Sequence, residues 1–129
     1  MRFDILTLFP AMVQAALSEG ILRIAAEKCL AEYHVTNFRD FATGVHQSVD
    51  DRPFGGGPGM VLKCEPLFKA VRDVIARSSI KPHLVLLTPQ GRPFKQAVAR
   101  ELATKERILM LCGRYEGFDE RIRQGFALD

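Results

Sequence analysis

Four short apolar runs recur along this chain, separated by stretches whose apolar residues return at helical spacing, and that alternation leaves few architectures open. The first run, Phe3 to Phe9, is broken only by Asp4 and Thr7, as expected of a strand buried on both faces. Pro10 then opens a helix at the position where its missing N–H costs nothing. Met12, Val13, Ala16 and Leu17 form one stripe, Gly20 interrupts, and Ile21, Ile24 and Ala25 begin a second helical stretch ending near Cys29. Tyr33 to Phe38 is the second strand. After a long polar passage, Pro66 starts a helix with the stripe Leu67, Ala70, Val71, Val74 and Ile75. Leu84 to Leu87 is a third strand, Thr88-Pro89-Gln90-Gly91 a turn, and Phe94 to Ala103 a helix with Phe94, Ala97, Val98 and Leu102 inward. Ile108 to Cys112 is the fourth strand, Gly113 to Phe118 a loop, and Asp119 caps a last helix through Ile122. The pattern predicts an α/β fold with a mostly parallel sheet and helices on both faces.

In such sheets ligands gather at the carboxyl ends of the strands. Thr88 to Gly91 and Gly113 to Gly117 are therefore expected to share one site. The second of these loops sets a cation, an aromatic plane and a carboxylate between two glycines. Arg114 suits a phosphate or a developing oxyanion, Tyr115 a ligand base, and Glu116 an ammonium or a hard cation. The alternative is a surface pairing of Arg114 with Glu116 or Asp119.

A third segment, Asp50-Asp51-Arg52-Pro53-Phe54-Gly55-Gly56-Gly57-Pro58-Gly59-Met60, combines four glycines and two prolines behind a charged entrance. Glycine admits positive φ and close approach to bare backbone, while the prolines fix φ, so the loop is shaped rather than floppy. It serves either as a ligand surface or as a connector between core elements. The literal G-x-G-x-G at Gly55, Gly57 and Gly59 fails as a dinucleotide fingerprint, because it neither follows a hydrophobic strand nor opens a helix. A phosphate-binding P-loop sequence is missing as well.

The chain has 129 residues, 47% hydrophobic and 26% charged, values that exclude a disordered or coiled-coil polypeptide and fit one domain spanning 1–129. A net charge of +3 permits an RNA partner without requiring one. Cys29, Cys64 and Cys112 lack any C-x-x-C pair, which points to buried thiols in a reducing compartment and to no zinc site. None of His34, His46 and His83 stands in a pattern that marks a nucleophile and its base. Neither a signal-peptide h-region nor a membrane-length apolar span occurs, so a cytoplasmic protein is expected.

Taken in order, Asp50 to Met60, Thr88-Pro89-Gln90-Gly91-Arg92 and Cys112-Gly113-Arg114-Tyr115-Glu116-Gly117-Phe118-Asp119-Glu120-Arg121 closely resemble the bacterial tRNA (guanine-N1)-methyltransferases, and Phe3 to Pro10 fits as well. The resemblance covers the chain in one register. It implies a trefoil-knotted α/β fold of the SPOUT class, a homodimer, and S-adenosylmethionine as methyl donor to N1 of the guanosine just 3′ of the anticodon in tRNA. By the same resemblance Leu87, Thr88, Pro89, Gln90, Gly113, Tyr115, Glu116 and Gly117 form the cofactor pocket. Asp50, Arg52, Gly55, Gly56, Gly57, Pro58, Gly59 and Arg114 receive the tRNA guanine; no metal is implied. Family members continue beyond Asp129 into a further knot segment and a helical C-terminal domain that hold the general base and its arginine. The catalytic residues are accordingly unknown here, and the 129 residues alone are expected to be inactive. The alternative is a module that only dimerises or binds RNA.

Overall fold

In a computed structural model of the chain, residues 1–53, 55–115 and 117–126 are described. Strand β1 (Arg2–Thr7) leads through α1 (Pro10–Leu17) and α2 (Gly20–Glu27) to β2 (Glu32–Asn37) and a 3-10 turn (Phe38–Phe41). Two short strands, β3 (Asp50–Asp51) and β4 (Val61–Leu62), precede α3 (Cys64–Ala76). Then β5 (His83–Leu87), α4 (Gln96–Leu102), β6 (Arg107–Cys112) and α5 (Glu120–Gly125) complete the described chain. The main sheet runs β2-β1-β6-β5 and every pairing in it is parallel. Parallel neighbours need crossovers, and the helices supply them.

Right-handed crossovers put α1, α2 and α4 on one face and α3 on the other, because β1→β2 and β5→β6 step one way across the sheet and β2→β5 steps back. The side chains agree. Leu6, Leu109 and Leu111 pack with Leu67, Ala70, Val71 and Val74 of α3 in the core, joined by Phe38, Val49, Leu62 and Ile122. The opposite face is thinly covered, since α1, α2 and α4 contain no fully buried residue. The α1 stripe is correspondingly open, with Met12 69% exposed.

Asp4 explains why a charge interrupts the first strand. It and Arg107 are buried on the α3 side of the sheet, with Arg107 Nε donating to Asp4 Oδ2 at 2.7 Å. The remaining guanidinium nitrogens cap the C-terminal end of α3, donating to the carbonyl oxygens of Val74 (2.5 Å), Ile75 (3.3 Å) and Ile80 (2.8 Å). The first two belong to the last turn of α3, where they also accept from the Arg77 and Ser78 amides at 3.3 and 3.4 Å, and the third to the segment that follows the helix. Arg2 closes the other side of the carboxylate at 2.9 Å. Burial alone pushes the Asp4 carboxyl up, yet hydrogen bonds from Arg2 and Arg107 and both positive charges outweigh it and hold the group below its ordinary value.

Some sequence expectations shift. Pro66 is the third residue of α3 rather than its opener, and Phe94 lies two residues before α4 and is 75% exposed. The cysteines are not the buried thiols expected: Cys29 is exposed, and Cys64 and Cys112 are half-buried. Cys29 sits just after α2 at φ +55°, a turn position that keeps it at the surface.

Candidate functional site

Because β5 and β6 are adjacent and parallel, with Leu87 opposite Cys112, the loops that follow them leave the sheet side by side. The first is a tight turn in which the Gly91 amide donates to the Thr88 carbonyl at 3.2 Å. Thr88 Oγ1 accepts from the Gln90 amide at 3.4 Å. Leu87, at the strand end, is 51% exposed, an apolar surface offered outward.

The loop after β6 is built around unusual backbone. Gly117 has φ +134°, and Tyr115 adopts φ +65°, a conformation that bulky residues avoid. Arg114 lays its guanidinium over the Phe9 ring, 5.0 Å from the centroid, rather than pairing with Asp119. Asp119 is engaged elsewhere. It caps α5 by accepting from the Arg121 amide at 3.0 Å, and its carboxylate meets the Arg121 guanidinium at 2.6 Å. Arg121 holds that carboxyl down to about 2, while burial and the adjacent Asp119 carboxylate push the Cys64 thiol up to about 11. Glu116 lies outside the described residues.

The two loops enclose a cavity of about 160 Å³ lined by Leu86, Thr88, Pro89, Gln90, Gly117, Phe118, Asp119, Glu120 and Arg123. Thr88 and Pro89 also border a larger apolar groove of about 770 Å³ on the thinly covered face, together with Leu87, Val85, Met110 and Leu102. The Thr88 turn is thus a partition between two concave surfaces.

The glycine-rich segment proves to be the tip of a hairpin. Its stem is the β3–β4 ladder, with Asp50 opposite Leu62 and Asp51 opposite Val61. Gly55, Gly56, Gly57 and Gly59 have φ of +87°, +83°, +125° and +87°, so the loop rests on backbone that only glycine adopts freely. Arg52, Gly55, Gly56, Gly57, Pro58 and Gly59 are all exposed. Asp50 is half-buried, and its carbonyl accepts from Ser48 Oγ at 3.0 Å, which in turn accepts from Lys63 Nζ at 3.2 Å.

Leu62 fastens this hairpin to the loop after β6. Its amide donates to the Gly117 carbonyl at 3.0 Å and its carbonyl accepts from the Asp119 amide at 3.2 Å, while the residue pairs with Phe118 in a parallel bridge. Leu62 itself is completely buried. Leu62, Phe118 and Asp119 therefore join the site although sequence reasoning passed over them. Leu62 carried no readable signal, because a two-residue strand has no alternation to detect.

A family model described as tRNA (Guanine-1)-methyltransferase TrmD matches residues 1–128. The chain is 52% identical over 129 residues to the tRNA (guanine-N(1)-)-methyltransferase of Dehalococcoides mccartyi strain CBDB1, covering all of this chain and 52% of the relative. It is 53% identical to that of Brevibacillus brevis, again over all of this chain and 52% of the relative. The chain spans about half the length of the curated relatives it matches. A crystal structure of tRNA (m1G37) methyltransferase from Aquifex aeolicus superposes with a TM-score of 0.87 at 40% identity, covering 96% of this chain and 56% of that one.

Proposed function

The chain belongs to the tRNA (Guanine-1)-methyltransferase family, and from that premise we propose that it forms part of an enzyme transferring a methyl group from S-adenosylmethionine to N1 of the guanosine just 3′ of the anticodon in tRNA. The observation that carries this reading is the double hydrogen bond of Leu62 to Gly117 and Asp119. It ties the glycine-rich hairpin to the loop after β6, which shares a cavity with the Thr88-Pro89-Gln90 turn after β5. A donor pocket and an acceptor surface then stand side by side, as group transfer demands.

The residues present fit the cofactor. Half-exposed Leu87 and the Thr88-Pro89-Gln90 turn offer an apolar ledge beside polar backbone, Gly117 leaves main chain bare for close approach, and exposed Gly113 is assigned to the pocket through its main-chain polar groups. Tyr115 is exposed on the same loop, which suits contact with a flat ligand. S-adenosylmethionine, when bound, supplies an electrophilic methyl. On the acceptor side, Gly55 to Gly59 present open backbone to a base turned out of its stack, with Asp50 and Arg52 at the hairpin's entrance. Removing the N1 proton drives charge onto O6 of the guanine, so a base and a cationic donor are required. The base and the arginine belong to the remainder of the family's length in this reading. Arg114 flanks the site from Phe9 and is assigned to the tRNA.

The same reading includes the trefoil knot, a cytoplasmic location and a homodimer. Exposed Met12, Ile21 and Leu30 supply apolar surface consistent with association. No helix among the described residues is long and apolar enough to cross a membrane.

The test uses the full-length protein with an unmodified tRNA transcript and labelled S-adenosylmethionine. Label should enter the tRNA and block primer extension at the guanosine 3′ of the anticodon. A transcript with adenosine there should take up none. Label at another nucleotide, or none at all with active cofactor and folded tRNA, would sink the proposal. Sedimentation of the same preparation as a monomer at micromolar concentration would remove the homodimer.

A further inference from the structure

We propose that Phe118 is a positioning residue that clasps the acceptor hairpin to the donor loop, so that methyl donor and tRNA each raise the affinity for the other. The inference rests on the functional reading above. Two sides of one residue carry it. On the main-chain side Phe118 bridges to Leu62, and its neighbours hold Leu62 from both directions, Gly117 by its carbonyl at 3.0 Å and Asp119 by its amide at 3.2 Å. On the side-chain side the ring fills the space beside Gly113. A Cβ built there would lie 2.5 and 2.6 Å from two ring carbons, far inside contact distance.

The glycine at 113 is therefore explained by the ring rather than by its backbone angle, since its φ is not in the left-handed region. Phe118 also packs on the core and lines the cavity shared with Thr88, Pro89 and Gln90. A ligand that shifts the loop after β6 must move the ring, and the ring cannot move without disturbing the stem of the hairpin. Close-packed contacts of this kind hold discrete arrangements instead of yielding smoothly. Coupling between two binding sites is reciprocal by linkage.

The experiment measures S-adenosylhomocysteine binding to the full-length protein by calorimetry, with and without saturating tRNA transcript. The wild type should bind this probe at least about fivefold more tightly with tRNA present, within the usual range of coupling factors. Phe118→Leu keeps the main-chain bonds and an apolar side chain but lacks the distal ring carbons, and should bring the ratio to within about twofold of unity. Gly113→Ala pushes a methyl into the ring and should lose the coupling too. Combining Gly113→Ala with Phe118→Leu should recover probe affinity relative to Gly113→Ala alone, a non-additivity expected of residues in contact. A merely structural role would lower the melting temperature and leave the ratio unchanged. A wild type that methylates tRNA but shows no coupling, a folded Phe118→Leu that keeps it, or strictly additive effects overturn the clasp. Failure of the wild type to methylate tRNA overturns the functional reading instead.

Discussion

Replacing Arg107 by methionine should destabilise the fold more than any change at the site itself. The substitution keeps an unbranched apolar stem of similar length and removes every donor. The carbonyls of Val74 and Ile80, bonded at 2.5 and 2.8 Å, then lose their strongest partner, and Ile75 loses a weaker one. Asp4 keeps Arg2 at 2.9 Å but loses Arg107 at 2.7 Å, leaving a buried carboxylate with half its compensation. A buried acceptor stripped of its donor costs about 1–3 kcal/mol, and breaking a buried pair from one side about 3–5 kcal/mol. These losses overlap because α3's end can fray toward water, so about 3–5 kcal/mol is expected in total, a large share of a domain's usual margin. Urea unfolding of the full-length protein by far-UV circular dichroism reads it as a lower midpoint at unchanged slope. Amide exchange should accelerate first at the C-terminal turn of α3. A loss under about 1 kcal/mol would refute the reasoning, since the guanidinium would then be no better than a buried thioether.

The Asp119 carboxyl titrates near 2 when folded, below its ordinary value of about 4, so the stability it confers is present above pH 4 and lost as pH falls through that window. Asp119→Asn should flatten that part of an acid-unfolding curve, and an unaltered curve would contradict the pairing with Arg121. With its thiol pushed up to about 11, Cys64 should resist iodoacetamide at pH 8 while exposed Cys29 reacts, as peptide mapping would show; equal labelling would count against this. Gly57→Val forces a β-branched residue to φ +125° and should cut methyl transfer by the full-length enzyme at least about fivefold, from about 1–3 kcal/mol of local strain. Undiminished transfer would detach the hairpin tip from function. Gly125→Ala brings a methyl within 2.8 Å of the Phe68 ring and should loosen α5, measurable as faster amide exchange over Glu120–Gly125.

What was legible in the sequence was whatever depends on local periodicity. The apolar runs around Ile5, Val35, Val85 and Met110 became the four parallel strands, and the stripe of Leu67, Ala70, Val71 and Val74 became the buried face of α3. Thr88 to Gln90 and Gly117 do converge on one cavity, because their strands are parallel neighbours. The β3–β4 stem escaped notice because two-residue strands have no periodicity to read. Phe118 gave no signal either, since its contact with Gly113 depends on the fold around both. The same holds for Arg107, whose partner Asp4 stands 103 positions earlier and looked only like an interruption of a strand.

That separation has a consequence for how the protein is made. β1 precedes the other described strands along the chain yet lies inside the finished sheet, between β2 and β6. Its pairing with β2 needs the chain only as far as Asn37, but the flank that accepts β6 stays open until residue 112 has been synthesised. Until then the open flank of β1 carries Arg2 and Asp4, charges that discourage a nascent hydrophobic strand from pairing with other chains. Loop closure of that length is slow compared with local pairing. Pulse-labelled hydrogen exchange during refolding should accordingly protect the β1–β2 amides before those of β6, and the arrival of Arg107 turns a solubilising charge into the pin that holds the end of α3.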